Sequence, residues 1–204
     1  MQNNFSDIFI RKFINTIGNI DTKLLEDVAE DLLLIKNRNR RIFFIGLGGS
    51  ASMCGHAVND FRKIAGMKAL CLTDNISELT ARANDEGWNN AYTSWLEAEK
   101  FELEDCLFVL SVGGGNIEKN VSLPLVNAIR YAENIFEGID PVIISITGRN
   151  DGYVADTTGL NISIPNTEDE FMTPFAEALQ SVIIHLLVSH PLLKANKTKW
   201  EEVA

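Results

Sequence analysis

The stretch Arg41-Ile42-Phe43-Phe44-Ile45-Gly46-Leu47-Gly48-Gly49-Ser50-Ala51-Ser52 decides the fold. Its apolar first half reads as a buried strand. Its second half is a glycine-rich turn that opens a helix, where backbone N–H groups can receive an anion. A second turn of this kind, Ser111-Val112-Gly113-Gly114-Gly115-Asn116, follows the apolar run Cys106 to Leu110. Two such turns at the C-terminal ends of two strands place a ligand in the crevice above a parallel sheet.

Outward from these turns, apolar runs and helical periodicity alternate. The pattern predicts strands at 41–45, 69–72, 106–110, 142–146 and 160–164, with helices at 50–64, 76–83, 89–99, 117–132 and 152–155. Val142-Ile143-Ile144-Ser145-Ile146 has no polar alternation, which suits a strand covered on both faces. The expectation is a three-layer α/β/α sandwich around a mostly parallel five-stranded sheet. Two amphipathic helices, 7–17 and 23–36, precede it and are separated by Gly18. A last helix is predicted from Thr173 as N-cap and Pro174 as first helical residue to about Ser189, before Pro191.

The 204 residues, 46% apolar, suit a single domain: N-terminal helices over 1–38, an α/β core over 39–190 and a polar tail over 191–204. Trp200 in that tail is expected to pack locally or against a neighbouring subunit. A formal net charge of −10 argues against a nucleic-acid partner, so an anionic ligand needs local donors. The N-terminus lacks the basic start and apolar core of a signal peptide. No apolar run is read as approaching the roughly 20 residues of a membrane span. The expectation is a cytoplasmic protein with no membrane partner. Cys54, Cys71 and Cys106 are odd in number and sit in or beside apolar stretches, which predicts buried free thiols.

Several residues carry candidate chemistry. Gly46-x-Gly48-x-x-Ala51, with Asp74 downstream, satisfies the dinucleotide fingerprint and makes an NAD-binding domain one reading. His56 and Asp60 lie four apart on the helix opened by the first turn and share a face, where both could reach one metal ion or one substrate. Glu177 and His185 on the last helix form a second pair. Taken singly, each has a structural alternative: Glu177 as a first-turn carboxylate, His185 as a core histidine. His190, beside Pro191, reads as a helix-end residue.

Taken together and in order, Gly48-Gly49-Ser50, His56 and Asp60, Ala83-Asn84-Asp85-Glu86-Gly87-Trp88-Asn89, Ile146-Thr147-Gly148-Arg149-Asn150-Asp151-Gly152 and Ile184-His185-Leu186-Leu187 resemble the sugar isomerase (SIS) domain. Within it they look most like the phosphoheptose isomerases, which interconvert sedoheptulose 7-phosphate and a heptose 7-phosphate. The resemblance covers nearly the whole chain. It implies one zinc ion per subunit on His56, Asp60, Glu177 and His185, with acid–base roles for Asp60 and His185. It also implies substrate contacts from Gly48, Gly49, Ser50, Asn84, Asp85, Ser111, Gly113, Gly114, Asn116 and Glu177, and a homotetramer. The chain departs from the family pattern where Asp60 replaces Glu, Glu177 replaces Gln and Leu47 replaces Asn. Its second turn keeps only Ser111 of the usual hydroxyls, although three glycines can still offer an N–H nest to a phosphate.

Aldose–ketose isomerisation moves a proton between C1 and C2 through an enediolate. Asp60 can serve as base and His185 as acid, with a divalent metal polarising the carbonyl. A non-catalytic SIS protein that binds a sugar phosphate or regulates a partner, and an NAD-linked oxidoreductase, are the alternatives. Glu177 and His185 are about 12 Å apart along one helix axis. That spacing favours a site completed at a subunit interface.

Overall fold

The computed structural model describes residues 4–136, 138–165 and 167–203. Among them the chain begins with α1 (Phe5–Gly18) and α2 (Thr22–Asn37). It then alternates through β1 (Arg41–Gly46), α3 (Gly49–Lys63), β2 (Lys68–Cys71), α4 (Ile76–Arg82), α5 (Ala91–Ala98) and β3 (Cys106–Ser111). The second half runs α6 (Leu123–Asn134), β4 (Val142–Thr147), α7 (Tyr153–Thr157), β5 (Leu160–Ser163), α8 (Asp169–Ser189) and α9 (Lys199–Glu202). All strand pairs are parallel and the order is β2-β1-β3-β4-β5. This is the flavodoxin-like order, in which a ligand crevice opens between β1 and β3, where the winding reverses. The two glycine turns leave the sheet there: Gly46 pairs with Leu110 at the last register of β1 and β3.

Strand residues alternate between two cores because successive side chains point to opposite faces. Phe44, Phe108, Leu110, Ile144 and Ile146 pack with residues of α2, α3 and α8. Phe43, Ile45, Leu107 and Val109 pack with residues of α5 and α6 on the other face. The leading helix α1 is fastened to α8 by edge-on aromatic contacts of Phe9 and Phe13 with Phe175. At the far end of the sheet the buried Asp105 accepts the backbone N–H of Arg41 and two guanidinium nitrogens, Nε and NH2, tying the start of β3 to that of β1.

The three-layer expectation and all five strands hold, with strand ends displaced by at most a residue. Three local readings are corrected. Residues 117–121 are not helical: Asn116 and Val121 exchange antiparallel hydrogen bonds, Ser122 takes a left-handed conformation, and α6 begins at Leu123 with Pro124 in its first turn. The last helix starts one turn before Thr173, because Asp169 and Glu170 complement the N-terminal end of its dipole, and Pro174 is carried inside it. That helix is also long and apolar enough to cross a membrane by composition, contrary to the sequence reading, yet half of its apolar window is buried within the fold. Trp200 lies 76% exposed, with the Lys199 ammonium over its ring. The three cysteines are buried and free.

Candidate active site

The first glycine turn is shaped by close approaches. A Cβ built on Gly46 would lie 2.8 Å from the Ser50 backbone, so only glycine lets α3 start this close to β1. Gly48 has φ +61°, a conformation that glycine adopts without strain. Tyr92, from α5 on the opposite face, donates its hydroxyl to the Gly46 carbonyl and fixes the end of β1 from below. Burial pushes the Tyr92 phenol up, which keeps it protonated as a donor.

Helices α3 and α8 run in the same direction, since Gly49 at the start of α3 meets Glu177 within α8, and Asp60 meets His185 farther along both. On this seam His56, Asp60 and His185 converge. Asp60 Oδ2 is 3.1 Å from His56 Nε2 and 3.5 Å from His185 Nε2, and the two imidazole nitrogens are 3.0 Å apart. The four-residue spacing read from the sequence does put His56 and Asp60 on one face. The Asp60 side chain is only 9% exposed, whereas both imidazoles open to solvent. Asn59 donates its amide to Asp60 Oδ1 at 2.9 Å, leaving Oδ2 for the histidines. Ser181 Oγ lies 3.4 Å from His185 Nδ1, one turn earlier on α8. Sequence reasoning missed Asn59, Ser181 and Tyr92. The i−4 spacing of Ser181 from His185 was a usable signal, and the Tyr92 contact had none.

Glu177 lies outside this convergent group. Its carboxylate instead covers Gly49: a Cβ there would fall 2.4 Å from the Glu177 carboxyl carbon and from both its oxygens. The two-turn separation along α8 accounts for the division.

The second turn is held internally. The Gly114 N–H donates to Ser111 Oγ at 3.0 Å, and the carbonyls of Gly114 and Gly115 accept from Val154 and Tyr153 at the start of α7. Gly114 (φ +70°) also packs against Gly152, where a Cβ would meet the Gly152 Cα at 3.1 Å. The Asn116 N–H bonds to the Val121 carbonyl. Of the N–H groups expected to face a phosphate, those of Gly114 and Asn116 are therefore already engaged. Asn84 and Asp85 fall in an exposed π-helical turn, Ala83–Gly87, and bond to each other rather than to the histidine cluster.

No protein-family model matches the chain. The chain is 32% identical over 161 residues to the lincomycin biosynthesis protein LmbN of Streptomyces lincolnensis, which covers 74% of this chain but only 54% of that protein, about half its length. It is 26% identical over 216 residues to a phosphoheptose isomerase of Roseiflexus sp. strain RS-1, covering 98% of this chain and all of that one. In three dimensions it resembles the phosphoheptose isomerase GmhA of Neisseria gonorrhoeae, with a TM-score of 0.72 and 22% identity over 89% of this chain and 92% of the other. The sheet order, the paired glycine turns and these likenesses give the chain the fold of the phosphoheptose isomerases that it resembles. Curated relatives named phosphoheptose isomerase match at 24–28% identity over 72–98% of the chain.

Proposed function

We propose that this protein interconverts the ketose and aldose forms of a sugar phosphate in the cytoplasm, with sedoheptulose 7-phosphate and a heptose 7-phosphate as the pair. The convergence of His56, Asp60 and His185 on one point of the α3–α8 seam carries this reading. Two imidazole nitrogens and one carboxylate oxygen are the donor set of a catalytic zinc site that keeps a position open. These three residues would hold the metal, which when bound supplies polarisation of the substrate carbonyl and offsets charge on the enediolate.

The chain's own groups handle the protons. Asp60 takes the proton from C1 of the ketose and returns it to C2, its carboxylate aimed by the Asn59 amide. Ser181 Oγ beside His185 Nδ1 sets the ring so that Nε2 faces the His56 and Asp60 group.

Further copies of the chain complete the assembly in this reading, as a homotetramer. Ile10, Ile14 and Ile17 form an exposed apolar stripe along α1, with Ile14 61% exposed, and Val182 and Leu186 flank His185 on α8. Apolar surface of this kind beside a site supports burial against another subunit.

A sugar-phosphate-binding role without turnover is the second reading, favoured by the internally bonded second turn. The strand order counts against an NAD enzyme, whose usual dinucleotide order is 3-2-1-4-5-6. The deciding experiment incubates the zinc-loaded protein with sedoheptulose 7-phosphate in deuterium oxide and follows the sugar by NMR. Deuterium at C1 or C2 with appearance of aldose is expected, and Asp60→Asn should abolish both. Tight binding of the sugar with no exchange would establish the second reading instead.

A further inference from the structure

The two helices that carry the histidine and carboxylate group are also joined at their far ends. Asp60 opens the last turn of α3, which closes at Lys63 with Ile64 as its C-cap, and His185 lies one turn before the end of α8. The final carbonyls of a helix have no partner within it. In α3 the Asp60 carbonyl accepts from Ile64 at 2.8 Å and from Ala65 at 3.4 Å, and the Phe61 carbonyl accepts from Met67. The carbonyls of Lys63 and Ile64 find their donors in a distant part of the sequence.

Those donors lie on the segment that follows α8. The backbone N–H groups of Ala195 and Asn196 both reach the Ile64 carbonyl, at 2.9 and 3.0 Å, and the Asn196 side-chain amide donates to the Lys63 carbonyl at 2.9 Å. The beginning of the segment is fixed as well. Leu193 is fully buried in the core shared by α2, α3 and α8, and its carbonyl accepts from the Lys36 ammonium of α2 at 2.7 Å. His190 Nε2 lies 3.1 Å from a Glu26 carboxylate oxygen on the same helix. A segment anchored in this way clamps the last turn of α3 to the end of α8, one turn beyond the point where Asp60 meets His185.

We propose that Asn196 is a positioning residue for the metal group: by capping α3 it keeps the last turn from fraying and so holds Asp60 within reach of His56 and His185. This assignment rests on the reading of those three residues as a metal site. Zinc tolerates little error in its donors, since nitrogen and oxygen ligands sit at about 2.0–2.2 Å. Releasing one residue of helix displaces the chain by about 1.5 Å along the axis. Asn196 itself is exposed, so its loss should be felt at the seam more than in global stability.

The test uses full-length Asn196→Ala, which removes the amide donor, and Asn196→Pro, which also removes the backbone N–H, with Lys197→Ala as a neighbouring control that leaves both bonds. Zinc affinity by chelator competition should fall 10–100-fold in Asn196→Pro, the scale on which groups that orient metal ligands act, and less in Asn196→Ala. Cobalt(II) in place of zinc should show altered d–d bands in both. Thermal midpoints in chelator should stay within about 4 °C of wild type for Asn196→Ala, the size of one lost hydrogen bond. The chain has three histidines, so selective labelling resolves their ring signals by NMR, and those of His56 and His185 should shift in the metal-free variants. Unchanged zinc affinity, cobalt bands and ring signals in Asn196→Ala and in folded Asn196→Pro would overturn the proposal, as would an equal change in Lys197→Ala. If Asn196→Pro does not fold, Asn196→Ala alone decides. The ring signals need no metal, so a wild type that binds no zinc would sink the metal reading while they still decide this one.

Discussion

Asp60→Asn should have opposite effects on stability with and without metal. The Asp60 side chain is 9% exposed and faces two imidazoles at 3.1 and 3.5 Å, with no Lys or Arg paired to it. In metal-free protein at pH 8 this is a buried carboxylate that relies on hydrogen bonds alone, a costly arrangement. Replacing it by its isosteric amide conserves volume and removes the charge, so the chelator-treated variant should be at least as stable as the chelator-treated wild type. Zinc reverses the order. A ligand present at 1,000 times its dissociation constant stabilises the folded state by about 4 kcal/mol. At roughly 2–4 °C per kcal/mol for a domain of this size, that raises the wild-type midpoint by about 8–16 °C. The variant, lacking the one convergent carboxylate among the described residues, should shift by a small fraction of that. Thermal melts of both proteins in chelator and in a zinc series, with bound metal determined after desalting, measure all four states. An equal zinc shift in wild type and Asp60→Asn would refute the assignment of Asp60 to the metal group, and a chelated variant much less stable than chelated wild type would refute the electrostatic reasoning.

Three other outcomes follow from the geometry. Tyr92→Phe leaves the buried Gly46 carbonyl without its side-chain donor and should cost about 1–3 kcal/mol in urea denaturation, with a rise in KM for the phosphorylated sugar if the first turn loosens. Gly114→Ala puts a side chain at φ +70° and within 3.1 Å of the Gly152 Cα, so it should lose about 1–2 kcal/mol of stability from backbone strain alone; Gly113→Ala, which has open space around its Cβ, should be nearly silent in the same melt. Burial raises the thiols of Cys54 and Cys106 and pushes Cys71 up to about 11 from 9.0. The folded values lie above the unfolded ones, so the stability they contribute is present below pH 9 and lost as pH rises through about 11. Denaturation midpoints should therefore fall between pH 9 and 11, and iodoacetamide at pH 8 should label the native protein far more slowly than the unfolded chain.

Much of the architecture was legible because periodicity and the glycine turns report local backbone demands. Val142 to Ile146 could only be a strand covered on both faces, and Gly46 to Ser50 could only be a tight entry into a helix. The 117–132 reading failed at its beginning because Asn116 and Val121 pair across a short hairpin, a contact that apolar spacing does not encode. At the site, His56 and Asp60 were readable from their four-residue spacing, whereas their meeting with His185 depends on two helices packing in parallel. The distance between Glu177 and His185 along one helix did foretell that they would part. What they part to, a glycine on α3 and a carboxylate about three turns farther along it, is tertiary information.

The parallel course of α3 and α8 gives their shared seam a scale. Seven residues separate Gly49 from His56, which at 1.5 Å per residue is about 10 Å of helix axis. Because the rise of an α-helix is fixed by its hydrogen bonds, neither end can drift toward the other without breaking a helix. The seam therefore works as a molecular ruler. In the proposed isomerase, a short sugar phosphate would touch the imidazole end or the Glu177 end, one at a time, while a longer open-chain sugar would bridge both. Selection by length would then come from the backbone itself, and side-chain substitutions at either end would change how tightly a sugar is held more readily than how long it must be.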